Sequence, residues 1–219
     1  MEFIARKSVN MRTKISFFEA YDNDVVSAGS KRMVLRDPYG NKQEYLGNFS
    51  YTSNGDLNWK SSSLNGFRQY DGNALYWSAE SLSISGSKYN EFAVFDDGAG
   101  LLRYALRGND TITGSNKSDL LLGYAGKDII TGRGGSDRLS GGTGADRFVY
   151  NLISDSKTGI KTRDTITDFR RREGDKIDLR KIDANPNRSG NQKLTFIGSK
   201  QFTGGAGEVR FSGGILEID

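Results

Sequence analysis

Neither cysteine nor histidine occurs among the 219 residues. The first absence excludes disulfides and thiolate metal sites. The second removes zinc sites of the HExxH kind, Ser-His-Asp and Cys-His nucleophile pairs, and histidine acid-base catalysis. Proline is scarce, 2 residues against 28 glycines, which points to many tight turns between short strands. No run of about 18 apolar residues exists, so no membrane span is expected. The opening MEFIARKSVNMRTKISFF has no apolar block of the kind a secretory signal peptide carries, so export would take another route.

What is present favours an all-β chain. Hydrophobic residues make up 35%, enough for a core if strands alternate cleanly. Up to about Asp97 there is strand-and-turn punctuation without a repeat, with alternation at Tyr45, Gly47, Phe49 and Tyr51 and at Leu82 and Ile84. Asn54-Gly55 and Asp71-Gly72 fit tight turns. Residues 1–100 are therefore read as an antiparallel β domain, sandwich or open barrel, with a junction at Asp96-Asp97-Gly98-Ala99-Gly100. Residues 101–219 form the second unit. The net charge of +4 comes from that second part, helped by Arg170, Arg171 and Arg172. This makes an anionic polysaccharide or cell surface a candidate partner.

From Ala105 the chain repeats every nine residues: ALRGNDTIT, GSNKSDLLL, GYAGKDIIT, GRGGSDRLS, GGTGADRFV. Asp110, Asp119, Asp128, Asp137 and Asp146 hold the sixth place; Ile112, Leu121, Ile130, Leu139 and Phe148 hold the eighth. The last three residues of a unit can form a strand that points only its middle residue inward, and the first six form a turn. Two units then make one coil of 18 residues, with Asp110 above Asp128 and Asp119 above Asp137. Stacked coils lie about 4.8 Å apart, so these carboxylates repel unless a cation lies among them. Calcium suits the gap, because it accepts six to eight oxygens in a forgiving geometry. The glycines let backbone carbonyls turn toward it.

GNDTITG, GYAGKDIITG and GGTGADRFV resemble the hemolysin-type, or repeats-in-toxin (RTX), nonapeptide GGxGxDxUx, a calcium-binding parallel β-roll pattern. DTITDF followed by EGDKIDL resembles the region after the repeats in serralysin-type C-terminal domains. The resemblance covers about residues 103–219 and implies a calcium-binding parallel β-roll, three to four Ca2+ ions, and unfolded export through type I secretion machinery to the extracellular space. Family ligands carried over by position give one ion the carbonyls of Gly123, Ala125, Gly142 and Gly144 with Asp128 and Asp146. A second would take Gly114, Asn116, Arg133 and Gly135 with Asp119 and Asp137. A third would take Ala105, Arg107, Tyr124 and Gly126 with Asp110 and Asp128. Lys117 stands at a glycine place, and Ala105 and Leu106 replace both opening glycines of the first unit, which weakens the outermost site. Asp155 and Asp164 are candidates to complete a last site above Asp137. DTITDF, GDKIDL and LTFIG read as three capping strands.

The serralysin likeness does not extend to catalysis, since a zinc protease needs histidines. The glycine-rich turns lack GxxxxGK[ST], so nucleotide binding is disfavoured. Basic residues are not interleaved with aromatics, which argues against nucleic acid. The N-terminal part carries no catalytic motif and is read as a binding module. Trp59, Phe67, Tyr70, Tyr76 and Trp77 are candidates for stacking on sugars, against the commoner role of aromatics as core. The rival reading is a small polysaccharide-active hydrolase or lyase, for which Glu19, Asp22, Asp24, Glu44 and Glu80 are scattered carboxylate candidates.

Overall fold

The computed structural model describes residues 2–5, 24–36, 42–50, 53, 58, 61–71, 74–80, 82–85, 88 and 98–219. In the N-terminal part lie β1 (Glu2–Ala5), β2 (Asp24–Ala28), β3 (Arg32–Arg36), β4 (Lys42–Asn48), β5 (Ser63–Asp71), β6 (Ala74–Glu80) and β7 (Ile84–Ser85). Strands β2-β3-β4-β5-β6-β1 form an antiparallel sheet in that order, and β7 pairs with β5. Tyr45, Phe67 and Ala79 are cross-strand partners and all buried. The Tyr45 and Phe67 rings meet edge-on at 4.9 Å. Gly47, Phe49, Leu82 and Ile84 are buried as the alternation requires; Tyr51 and Asn54-Gly55 lie outside the described residues. Asp71 pairs with Ala74, which leaves two residues to join β5 to β6. At Gly47 the register slips by one, and a Cβ there would overlap the Ser63 carbonyl oxygen.

Gly98-Ala99-Gly100 of the expected junction open α1 (Gly98–Ala105), and Asp96 and Asp97 lie outside the described residues. Two glycines and eight residues hide a helix from propensity reasoning. Burial explains it: Leu101, Leu102 and Leu106 are fully inaccessible, and the Leu106 N–H donates to the Leu102 carbonyl at 2.9 Å.

The repeat then gives β8 (Thr111–Thr113), β9 (Leu120–Leu122), β10 (Ile129–Thr131), β11 (Arg138–Ser140) and β12 (Arg147–Val149). They stack in parallel as two ladders, one through β8, β10 and β12 and the other through β9 and β11, with partners 18 residues apart such as Ile112↔Ile130 and Leu121↔Leu139. The five middle residues are buried to 1% exposure or less. Each contributes about 1.5–3 kcal/mol by burial. One such residue per nine is a thin core for so many ordered turns.

After the repeat come β13 (Thr165–Ile166), β14 (Lys176–Asp178), β15 (Thr195–Phe196), β16 (Glu208–Ser212) and β17 (Ile215–Ile218). DTITDF and GDKIDL supply β13 and β14, which lie on β11 and β12 in parallel register and add one rung to each ladder. LTFIG supplies β15, which joins β16 and β17 in a separate small sheet.

The two parts share one sheet. β1 runs antiparallel to β6 on one side and parallel to β8 on the other, and the result is eleven-stranded. One continuous core cluster runs from Tyr45 and Phe67 through the helix leucines to Phe148. No helix among the described residues is long and apolar enough to cross a membrane.

Candidate metal centre

The turns between roll strands fall into two kinds. In the last three units the second and fourth places have positive φ: Tyr124 (70°) and Gly126 (133°), Arg133 (67°) and Gly135 (139°), Gly142 (95°) and Gly144 (122°). Among the described residues of the first two units, none does. Holding Tyr124 and Arg133 there costs about 1–2 kcal/mol each. Stacking sustains the conformation on one edge. The Thr143 N–H donates to the Tyr124 carbonyl at 3.0 Å, and the Gly126 N–H to the Thr143 carbonyl at 2.9 Å. A Cβ on Gly142 or Gly144 would overlap the carbonyl oxygen of Tyr124 or Gly126, so the turns at 123–128 and 141–146 nest as only glycine permits.

Behind each turn stands its aspartate, and all five are at least 96% buried, Asp119 being the least so at 4% exposed. One carboxylate oxygen has a fixed task. Oδ1 of Asp128 accepts the Asp110 N–H at 2.8 Å, and Oδ1 of Asp137 and Asp146 accept those of Asp119 and Asp128 at 2.9 Å, each across 18 residues. The other oxygen, Oδ2, has no hydrogen-bond donor at Asp128, Asp137, Asp146 or Asp164 and is shut away from water. In the first three of these it lies against the Cα of the glycine that opens its own unit, Gly123, Gly132 or Gly141, where a Cβ would collide with it.

A buried oxygen acceptor without a donor is costly. Burial pushes Asp128 up to about 7 and Asp137 up to about 8, against the amide hydrogen bond that lowers each. Neighbouring carboxylates raise them further, Asp146 and Asp110 for the first, Asp164, Asp119 and Asp155 for the second. Asp164 is pushed up to about 6 by burial, and Asp110 and Asp146 are raised by the same cause. Buried acceptor oxygens without donors, as at Asp128, Asp137 and Asp146, fit a hard cation. Among the described residues no three Asp or Glu side chains converge as a metal cluster, so such a cation would rely on backbone carbonyls for much of its shell.

The positions expected from sequence are placed unequally. Gly123 and Ala125 lie on the turn of Asp128 and Gly142 and Gly144 on that of Asp146, and these two turns nest, with Ala125 bridging to Thr143. On the other edge, Asp119 Oδ2 accepts the Ser115 N–H at 2.6 Å and hydroxyl at 3.0 Å. There the Arg133 guanidinium donates to the Gly114 carbonyl at 3.2 Å, while Asn116 and Lys117 are exposed. A Cβ on Gly135 would come within 2.6 Å of the Lys117 carbonyl, so these turns also touch. At the outer end Ala105 is the last residue of α1, and Arg107 stacks over the Tyr104 ring at 3.8 Å. Asp155 Oδ2 caps the one-turn 3-10 helix Ile153–Asp155, accepting the Asn151 and Leu152 N–H groups. Asp164 Oδ1 accepts the Asp137 N–H at 2.9 Å, the same bond the repeat aspartates make.

Two acidic residues, Asp168 and Asp175, escaped the sequence reading, and Glu173, which continues the nine-residue spacing of Asp155 and Asp164, reads there as coincidence. Asp175 Oδ1 accepts the Asp146 N–H at 3.0 Å, continuing that row. Asp168 receives the Ser140 hydroxyl and the Gly141 and Gly142 N–H groups, and Glu173 receives the Gly144 N–H. The triplet Asp-x-apolar could have found Asp175: Asp175-Lys176-Ile177 and Asp164-Thr165-Ile166 match Asp146-Arg147-Phe148. Asp164, 18 residues after Asp146, is still on the count of nine, whereas the loop before Asp175 puts it 29 residues after Asp146 and off the count.

In the N-terminal sheet, Glu44 is buried among Arg32 (2.6 Å), Lys42 (3.0 Å), Arg68 (3.8 Å) and the Tyr70 hydroxyl (3.1 Å). Against the cost of burial, Lys42, Arg32 and Tyr70 hold its pKa below the usual carboxylate range, the reverse of what a general acid needs. Arg68 also bridges to Glu80 at 2.8 Å. Phe67 belongs to the core. Glu19, Asp22 and Trp59, and the side chains of Asp24, Tyr76 and Trp77, lie outside the described residues. Arg170 is tied to Glu173 at 3.1 Å, whereas Arg171 and Arg172 are exposed.

Parallel three-residue strands, alternating turn rows and inward aspartates on an 18-residue coil define a repeat β-roll. The family model described as Peptidase M10 serralysin C terminal matches residues 84–213, more than half of the chain, and the chain belongs to that family. The match opens in β7, takes in α1, all five repeats and β13 through β16, and ends before β17. A comparison with curated protein sequences gives no match.

Proposed function

We propose that the chain is a calcium-binding protein exported unfolded by a type I route. Its roll orders on the ion outside the cell, and residues 1–100 serve as a binding module carried on residues 101–219. One observation carries the calcium reading: Asp128 and Asp146 present buried, donorless Oδ2 atoms behind two nested turns of matched positive φ. A bound divalent ion would supply the positive charge these oxygens lack. Gly123, Ala125, Gly142 and Gly144 would hold it with the two aspartates. Asp137 and Asp164, both with a donorless Oδ2, support a second ion with the turn at Arg133 and Gly135. The Asp119 and Asp110 ends rank below these, because Ser115, Arg133 and α1 engage the groups an ion would need. Family membership supports the export reading, and exposed Arg171 and Arg172 support an anionic polysaccharide or cell surface as partner.

Titrating calcium into chelated protein tests the reading. Bound ions counted by native mass spectrometry should rise together with β signal and melting temperature, with dissociation constants of about 10⁻⁴ to 10⁻³ M. A roll equally folded in excess chelator, with no ion retained, refutes it.

A further inference from the structure

We infer that β1 is the tie through which ordering of the roll passes to the antiparallel sheet, an inference that rests on the calcium reading above. β1 is four residues long and has two partners from distant parts of the chain: Glu2–Ala5 against Trp77–Glu80, and Glu2–Ile4 against Thr111–Thr113. A strand this short held on one side only is marginal. Remove it, and both β6 and β8 become open edges with unpaired backbone groups. β8 in turn is placed by β10, with which it shares three register pairs, and β10 leads out of the turn that carries Asp128. Ordering of the Asp128 turn thus fixes β10, β10 fixes β8, and β8 completes the slot for β1 beside β6. The N-terminal module is thereby joined to the state of the roll by backbone pairing, besides the apolar packing of Leu101, Leu102 and Leu106 against the shared core.

The chain provides its own reporter. Both tryptophans, Trp59 and Trp77, precede the roll, and Trp77 lies opposite Ala5 in the β1–β6 register. In the full chain, calcium chloride is titrated into chelated protein while tryptophan emission is recorded and bound calcium is counted by native mass spectrometry. The tie requires the two curves to share a midpoint. Uptake of calcium with unchanged emission overturns the tie and leaves the calcium reading standing; no uptake overturns both. Consecutive strand residues direct their N–H groups to opposite edges, so the Phe3→Pro/Ile4→Pro double variant cuts both ladders of β1. It should take up calcium while its emission no longer follows. Emission that still follows places the coupling in the shared core and overturns the tie. A Glu2→Cys/Thr111→Cys variant guards against a double variant that cannot fold at all. Paired strands lie about 4.8 Å apart, within disulfide reach. Oxidation should move both curves together to at least about tenfold lower calcium relative to the reduced form. An emission midpoint unmoved by oxidation overturns the tie.

Discussion

Two glycines in neighbouring repeats, Gly144 at the fourth place and Gly134 at the third, should respond in opposite senses to the same added methyl group. Gly144 has φ 122°, and a Cβ there would overlap the Gly126 carbonyl oxygen of the coil before it, a backbone atom that cannot swing away. Gly134 has no positive φ and nothing within 4 Å of its would-be Cβ. Gly144→Ala incurs about 1–3 kcal/mol for the dihedral alone, and more for prising the nested turns apart. At about 2–4 °C per kcal/mol for a chain of this size, the melting temperature should fall by roughly 6–12 °C for a loss of about 3 kcal/mol. If the distortion must be undone before an ion binds, the same energy weakens calcium by about 100-fold. Gly134→Ala should instead raise stability by about 0.4–1 kcal/mol through the unfolded chain's lost freedom, with the calcium midpoint unchanged. Differential scanning calorimetry in chelator and in calcium, with calcium titrations of each variant, measures all of these. Equal effects from the two substitutions refute the claim that positive φ and turn nesting shape the site.

Other consequences concern charge. Burial carries Asp128 up to about 7, so in chelator its ionised form opposes folding: the penalty is absent below about pH 4, grows as pH rises and is full above pH 7. Asp128→Asn should therefore flatten the decline in melting temperature between pH 5 and 7.5 in chelator, yet lower the melting temperature in calcium; losses of equal size in both conditions contradict this. Arg133→Gly relieves a positive φ of 67° and releases the Gly114 carbonyl. It should raise stability by up to about 1 kcal/mol without lowering the native-mass ion count, and a lower count would show that the guanidinium supports the turn. The side-chain hydrogen bond from Arg180 holds Asp178 down at about 2. A depressed carboxyl contributes stability above about pH 4 that is lost as pH falls toward 2, so Arg180→Ala should move the acid-unfolding midpoint upward, and an unmoved midpoint removes the pair from the account.

The repeat was legible because period and chemistry coincide. An aspartate and an apolar residue two places on, recurring every nine, fix the strands, the inward residue and the row of carboxylates. Where the count broke, reading by period failed although the local signal persisted, and Asp175 is the clearest case. Tyr124 and Arg133 show a second limit. Both occupy left-handed positions that sequence reasoning reserves for glycine, held there by neighbours one coil away. Helix α1 was invisible for a related reason, since Gly98-Ala99-Gly100 reads as a linker and only the core it covers makes it a helix. The joining of β1 to β8 pairs residues more than a hundred positions apart, and no local pattern encodes it.

Net charge conceals how this chain sorts its ions. The overall value of +4 suggests a basic surface with no need of cations, but the acidic and basic groups of the roll are segregated by place in the repeat. Sixth-place aspartates face inward behind the turns, whereas the seventh-place Arg138 is exposed and the Arg147 side chain retains 40% of its accessibility. Burial is the largest influence on Asp128 and on Asp137, opposed in each by one amide hydrogen bond and reinforced by neighbouring carboxylates. Basic residues on the outer faces therefore do little for the carboxylates inside, because water screens them and the turns intervene. Below about pH 7 a proton neutralises Asp128; on the calcium reading proposed above, an ion small enough to enter between the turns would do so at higher pH. Releasing the cation from the roll should accordingly leave a chain whose outside still attracts anions but whose inside repels itself.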